Sequence, residues 1–303
     1  MNGDGVQVRG VLFVRDLVNK DVTTLGNSLS DVHSNFDNPT AKELYLVAVS
    51  PILRFVKSNH LVIIPHGELS LLPFQVLEDP SNGSYLGERY AISYAPSATI
   101  LSTLVTHPNV KEGKLLGVEG PGIPNAPQEV SHIAALYPGR HLVVDAESAT
   151  KERVSSLVGG YSLIHFSVHG QFDASDPMLS FLLLTPGSSA ENGRLTAAEM
   201  FALPLQRNSL VVLSACETGQ VVVTSSNETL GMIQALLYAG ATNVVLSDWA
   251  VNDESTQIWM ETFYRQAQTH PAPEAARLAL IAVRKKPEFH SPFFWGPFVM
   301  TGK

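Results

Sequence analysis

Ser162–Gly170 reads SLIHFSVHG, and Leu210–Gly219 reads LVVLSACETG. Each opens on a short apolar run of strand-like composition and leaves it through small and polar residues. In open α/β sheets, functional groups gather beyond the carboxyl ends of the strands. If the two strands are parallel and adjacent, His169 and Cys216 emerge at one edge of the sheet. The sequence between them is long enough for the crossover that a parallel pair requires.

Working outward, strands and helices alternate. Leu61–Ile64 is a short apolar run ended by Pro65, read as a strand buried on both faces, and a helix begins near Ser97. Lys114–Val118 reads as a strand, followed by a Gly/Pro loop over Glu119–Pro127 and a helix near Gln128–Leu136. A strand at Leu142–Val144 and a helix at Thr150–Leu157 precede the first quoted stretch. After the second come a helix at Thr229–Ala239, a strand at Val244–Leu246, helices at Glu254–Ala267 and Glu274–Val283, and a last strand at Phe298–Met300. Such alternation predicts a mainly parallel sheet with helices on both faces. Before it, Val6–Val14 has strand-like composition and Asn27–Pro39 reads as a polar loop. Ala41–Ser58 has helical spacing, kinked or restarted at Pro51. A boundary near Val110–Gly113 divides the chain into unequal parts, residues 1–110 and 111–303.

The chemistry needs both edge residues. A free thiol of pKa ~8.5 is mostly protonated at neutral pH, and the thiolate is the nucleophile. An imidazole at His169 takes that proton and later protonates a leaving amine. Gly170 lets a substrate carbonyl approach the backbone, so its N–H and that of Cys216 are the expected oxyanion donors.

These residues resemble the caspase-type Cys-His peptidases, which place the His some 50 residues upstream of the Cys. More closely, the chain resembles the CHAT domain, a caspase-like peptidase module often found beside tetratricopeptide repeats. The resembling stretches are HLVIIPHGELSLLPFQVL (His60–Leu77), YLGERYAISYAP (Tyr85–Pro96), IHFSVHGQFD (Ile164–Asp173), DPMLSFLLL (Asp176–Leu184), LTAAEM (Leu195–Met200) and LVVLSACETG. Asn243–Glu254 and Phe293–Val299 continue it to the C-terminus. The resemblance implies a caspase-like α/β/α sandwich preceded by a smaller, non-catalytic α/β half, with His169 as general base and Cys216 as nucleophile. It also implies regulated activation by a tetratricopeptide-repeat or other sensor protein.

Three positions depart from the family pattern. His66 stands where an acidic residue is usual, in the non-catalytic half. Ser225–Thr229 keeps Glu228 but loses the glycines on either side. Ser247-Asp248-Trp249 carries a carboxylate where leucine is usual. A carboxylate at a strand end wants a cationic partner. With Glu217 beside the nucleophile, Asp248 is expected to hold an Arg or Lys side chain of the substrate before the scissile bond.

Other candidates read more simply. His165 shares a strand face with Leu163 and is expected to be a core histidine. Gly117–Gly122 lacks dinucleotide-loop spacing, and Pro121 and Pro124 remove amide donors, so it is a connecting loop. Asp173 is a candidate loop-orienting residue, while the polar loops Pro186–Arg194 and Gly219–Thr229 flank the site as candidate gates. Phe293-Phe294-Trp295 is expected in the core.

Composition narrows the function classes. The 303 residues are 45 % hydrophobic and 16 % charged, enough for a sizeable core and too few charges for a disordered chain. Twenty Lys and Arg against 28 Asp and Glu give a net charge of -8, which disfavours nucleic acid as a partner. The start lacks signal-peptide character and no stretch reaches membrane-spanning length. The single cysteine excludes an internal disulfide and fits a reducing, cytoplasmic setting. No metal-binding motif or cofactor loop is present, so neither is expected. The expectation is a cytoplasmic cysteine endopeptidase acting on a protein substrate, with a catalytically silent CHAT-like scaffold as the alternative.

Overall fold

Strands rich in Val, Leu and Ile pair here because both of their faces find helices to pack on. The computed structural model describes residues 15–29, 31–106, 113–173, 175–187, 192–215 and 226–303, the side chains of 15 and 226–230 excepted. Eight strands form the main sheet: β1 (His60–Ile63), β2 (Ala91–Tyr94), β3 (Leu115–Glu119), β4 (His141–Val144), β5 (Leu163–Ser167), β9 (Ser209–Ser214), β10 (Ala241–Ser247) and β11 (Phe298–Gly302). A separate three-stranded antiparallel sheet holds β6 (His169–Gln171), β7 (Phe181–Leu183) and β8 (Arg194–Thr196).

The main sheet has the order β1-β2-β11-β10-β9-β5-β3-β4. Every neighbouring pair is parallel except β10 and β11. It is therefore two parallel blocks running in opposite directions, welded at one antiparallel seam. The carboxyl ends of β5 and β9 lie at one edge, and β1 and β2 point the other way. The sheet runs unbroken across the boundary near Val110–Gly113, because the C-terminal β11 joins β2 to β10.

Alternation sorts the central strands onto two faces. Leu116, Val118, Ile164, Phe166, Val211, Leu213, Val244 and Leu246 pack into one cluster. On that side lie α7 (Lys151–Leu157), α8 (Ala197–Met200) and α9 (Ser226–Ala239). Leu115, Leu163, Leu210, Val212 and Val245 pack into the other cluster, against α6 (Ala126–Ala135), α10 (Asp253–Ala267) and α11 (Ala272–Arg284). The remaining helices are α1 (Arg15–Leu29), α2 (Asn38–Leu44), α3 (Ser50–Leu53), α4 (Leu86–Arg89), α5 (Ala98–Leu104) and α12 (Pro292–Trp295).

Several local expectations change. α1 and β2 are not evident from the sequence pattern, and Ser226–Thr229 begins α9 rather than ending a loop. Between α2 and α3 the chain makes a π-helical turn at Tyr45–Val49. Pro51 explains it: a wider turn relieves the clash of its ring with the preceding carbonyl. Among the described residues β1 is an edge strand rather than a doubly buried one, since only β2 pairs with it and Val62 remains 37 % exposed. The aromatic tail is core, with Trp295 fully buried against Tyr85 at a ring separation of 4.8 Å. Val6–Val14 lies outside the described residues.

Candidate active site

The site is assembled by strand register. β5 and β9 pair in parallel with Ser167 opposite Ser214, so both strands end at one level. Beyond β5 the chain turns through Val168, whose N–H donates to the Ser214 carbonyl at 3.3 Å, and enters β6 at His169. Gly170 then lies against Ala215: a Cβ at Gly170 would stand 3.1 Å from the Ala215 Cβ. The neighbour of His169 thus touches the residue that precedes Cys216 in sequence. Cys216 and Glu217 themselves lie outside the described residues, as does most of Gly219–Thr229.

The glycine loop after β3 packs on this junction. Gly120 donates its N–H to the Ser167 carbonyl at 2.8 Å, and a Cβ there would meet the Val168 Cα at 2.7 Å. Only glycine allows that approach. A Cβ at Gly122 would lie 3.8 Å from His169 Nε2, so the half-buried imidazole stands against this loop. The connecting role expected for the loop becomes a structural one, as a wall beside His169.

His169 opens on a cleft of about 280 Å³. Its walls are Ile123 of the glycine loop, Asn125, Gln128 and Glu129 around the start of α6, Ser167 and Val168, Ser214, and residues from Val251 to Gln257 at the start of α10. Asp253 and Glu254 bring two carboxylates to this wall, and Asn125 Nδ2 donates to Asp253 Oδ2 at 2.6 Å.

Beneath the cleft lies a buried polar chain. Ala126, Val130, Ile133 and Ala134 turn one face of α6 to the sheet, and Glu129 stands on that face. The Ser167 hydroxyl donates to Glu129 Oε2 at 3.1 Å, and Ser214, opposite Ser167 in register, lines the cleft beside the same carboxylate. Glu129 Oε1 is 3.1 Å from His165 Nε2, while His165 Nδ1 is 3.0 Å from the Tyr264 hydroxyl. Burial pushes the Glu129 carboxyl upward, but the His165 ring and the two serine hydroxyls outweigh it, and the net direction is downward. A carboxylate in the first turn of α6 also gains from the helix dipole. Tyr264 is pushed well above its ordinary value by burial, then by Tyr137 and by Glu129. His165 is fully buried, as its strand face predicts.

Glu129, Ser167, Ser214 and the α10 carboxylates escape motif reading. One signal was available: Ser167-Val168-His169 and Ser214-Ala215-Cys216 both carry a serine two positions before the candidate residue. Strand alternation turns those serines to one face.

Asp173 is half-buried and turns back on its own loop. It accepts from the Ser175 hydroxyl at 2.6 Å and from the backbone N–H groups of Ser175 and Asp176, which hold its carboxyl below the usual range. Asp248 stands just past β10, its N–H donating to the Pro297 carbonyl at 2.9 Å. It is not among the described residues that line the cleft. Burial pushes its carboxyl up to about 7, and its charge helps push Tyr94 upward. Next to it, Trp249 Nε1 donates to the Phe293 carbonyl at 2.9 Å. Among the described residues no cluster of three or more His, Cys, Asp or Glu is placed to hold a metal ion, and no helix is long and apolar enough to cross a membrane.

Residues 38–303 match the CHAT domain. The chain belongs to the CHAT domain family. Tetratricopeptide repeat protein 28 of Homo sapiens and its counterpart in Mus musculus are each 24 % identical to this CHAT chain over 344 residues, covering 91 % of it. The chain spans only 14 % of those proteins. Among solved structures, separase in the Saccharomyces cerevisiae separase–securin complex superposes with a TM-score of 0.55 at 14 % identity, covering 80 % of this chain and 15 % of that one. The Arg-specific cysteine proteinase gingipain R superposes with a TM-score of 0.53 at 11 % identity, covering 95 % and 73 %. The CHAT chain therefore has the caspase-like α/β fold of these proteins.

Proposed function

We propose that this CHAT domain is a cysteine endopeptidase with a His169–Cys216 dyad. The observation that carries the reading is the junction of β5 with β9: Ser167 faces Ser214, and Gly170 lies against Ala215. Chains that leave paired strands in step emerge at one edge of the sheet, which supports pairing His169 with Cys216. In the proposed reaction His169 takes the thiol proton and the thiolate attacks the scissile carbonyl. The backbone N–H groups of Gly170 and Cys216 face the developing oxyanion. His169 then protonates the leaving amine, and water, deprotonated by His169, releases the acyl group.

The substrate is proposed to carry Arg or Lys before the scissile bond. Asp253 and Glu254 on the cleft wall support this, and none of the described lining residues is Lys or Arg. A guanidinium pairs with such carboxylates in a fork. Asp248 and Glu217 remain the other proposed contacts; a carboxyl with a pKa of about 7 is only half ionised at neutral pH, which weakens Asp248 as a cation partner. Gingipain R, an Arg-specific proteinase on the same fold, is consistent with a basic preference.

Residues 1–110 are proposed as the non-catalytic half, and activation by a partner or sensor, in the cytoplasm, as the control. The repeat-protein relatives and the separase–securin complex support a protein partner. The test is profiling of peptide cleavage by wild type, Cys216→Ala and His169→Ala. Cleavage lost in both variants supports the dyad. No cleavage by the partner-bound wild type favours the silent scaffold, and acyl transfer without hydrolysis favours a transferase.

A further inference from the structure

The two serines that precede the proposed dyad line the cleft beside one carboxylate. Ser167 and Ser214 are the last residues of β5 and β9, paired opposite each other and nearly fully buried. The Ser167 hydroxyl donates to Glu129 Oε2 at 3.1 Å, and Ser214 lines the same cleft beside this carboxylate, which reaches the strand ends from α6. From this we infer that Glu129 is a positioning residue, a strut that fixes the carboxyl ends of β5 and β9 and so sets the spacing of His169 and Cys216. The inference rests on the dyad reading.

The strut is braced from below. His165 Nε2 sits 3.1 Å from Glu129 Oε1, and the Tyr264 hydroxyl 3.0 Å from His165 Nδ1, so α6, β5 and α10 each contribute one member. The charged groups facing the cleft side are His169 of β6 and Asp253 and Glu254 of α10. A carboxylate suits this place because both of its oxygens are acceptors, one taking the Ser167 hydroxyl and the other facing the His165 ring. An amide offers one acceptor oxygen and an NH₂ that faces hydroxyl donors and the imidazole. Glu129→Gln therefore keeps the volume and loosens the tie between α6 and the strand ends.

Dyad geometry is sensitive to such a release, since a displacement of about 1 Å can cost ~100-fold in rate. Cys216 is the only cysteine in the chain, so its alkylation by iodoacetamide, followed against pH, reports the thiolate without any substrate. In wild type a thiolate paired with His169 gives a profile below the ~8.5 of a free thiol. Glu129→Gln is expected to move the profile toward that value and to lower kcat by ~10–100-fold with KM nearly unchanged. Ser214→Ala, which removes the hydroxyl beside this carboxylate with little change in volume, is expected to move it in the same direction. Val130→Ala, on the same buried helix face but packed on Gly117 of β3, is expected to lower Tm and leave the profile in place.

A profile moved by His169→Ala but unmoved by both Glu129→Gln and Ser214→Ala overturns the strut alone. An equal shift in Val130→Ala also overturns it, because any loosening of α6 would then do the same. A wild-type profile at the free-thiol value that His169→Ala leaves unchanged overturns the dyad, and the strut with it.

Discussion

Asp248→Asn is expected to stabilise the fold, and to do so far more at pH 8 than at pH 5. Burial raises the Asp248 carboxyl from its ordinary 3.8 to about 7. A carboxyl raised on folding binds its proton more tightly in the native state than in the unfolded one. Its ionisation penalty is absent below pH ~4, grows as pH rises, and is complete above pH ~7. Between pH 5 and pH 8 the wild type should therefore lose about 3 kcal/mol relative to a variant that cannot ionise, at about 1.4 kcal/mol per pH unit over the part of the window below the folded value. Asparagine has nearly the same size and keeps the backbone bond to Pro297. The assay is urea unfolding of both proteins at pH 5 and pH 8, comparing midpoints at constant slope. A wild-type-minus-variant difference independent of pH would refute the reasoning, since the carboxyl would then titrate alike in both states. That result would also restore Asp248 as a charged contact for a basic substrate side chain.

Other perturbations test separate parts of the structure. Gly170→Ala places a Cβ 3.1 Å from the Ala215 Cβ, so peptide hydrolysis should fall by at least ~10-fold while Tm drops only a few degrees; unchanged kcat would refute the close junction. Gly231→Ala drives a Cβ to 2.4 Å from the Pro177 carbonyl oxygen on a packed helix, and should cost roughly 1–3 kcal/mol in urea unfolding, with a neutral result counting against the packing of α9. Gln75 donates to the Gly296 carbonyl at 2.8 Å and accepts from the Tyr94 hydroxyl at 3.0 Å. Gln75→Leu takes the donor from the Gly296 carbonyl and the acceptor from the Tyr94 hydroxyl proton, while Tyr94 keeps the Phe74 N–H; it should cost about 1–3 kcal/mol, measured the same way, and no loss would mean water replaces the amide.

The central strands were legible because they are buried on both faces, and continuous apolar runs such as Leu210–Leu213 have few other solutions. The helices after them were legible from their period and caps: Thr150 and Asn252 cap α7 and α10 with side-chain acceptors. β1 misled because an edge strand with Leu61 and Ile63 packed inward carries as many apolar residues as a central one. α1 was obscured by its composition, RDLVNKDVTTLGNSL, whose Asn, Asp, Thr and Gly favour turns while Val18, Val22, Leu25 and Leu29 supply the buried stripe. At the site, the sequence order makes His169 and Cys216 the candidate pair. Glu129 was not legible, since its importance comes from a helix laid across two strands that are distant in sequence. Asp248 and the α10 carboxylates show the same limit: charge is visible in a sequence, but the wall it stands on is not.

The most direct measurement of the central claim is peptide-library cleavage by partner-bound wild type, Cys216→Ala and His169→Ala, with products sequenced. The account predicts cleavage after Arg or Lys by the wild type, none by Cys216→Ala, and a rate reduced at least ~100-fold in His169→Ala, the usual size of a general acid–base contribution. Cleavage persisting at the wild-type rate in Cys216→Ala would contradict it.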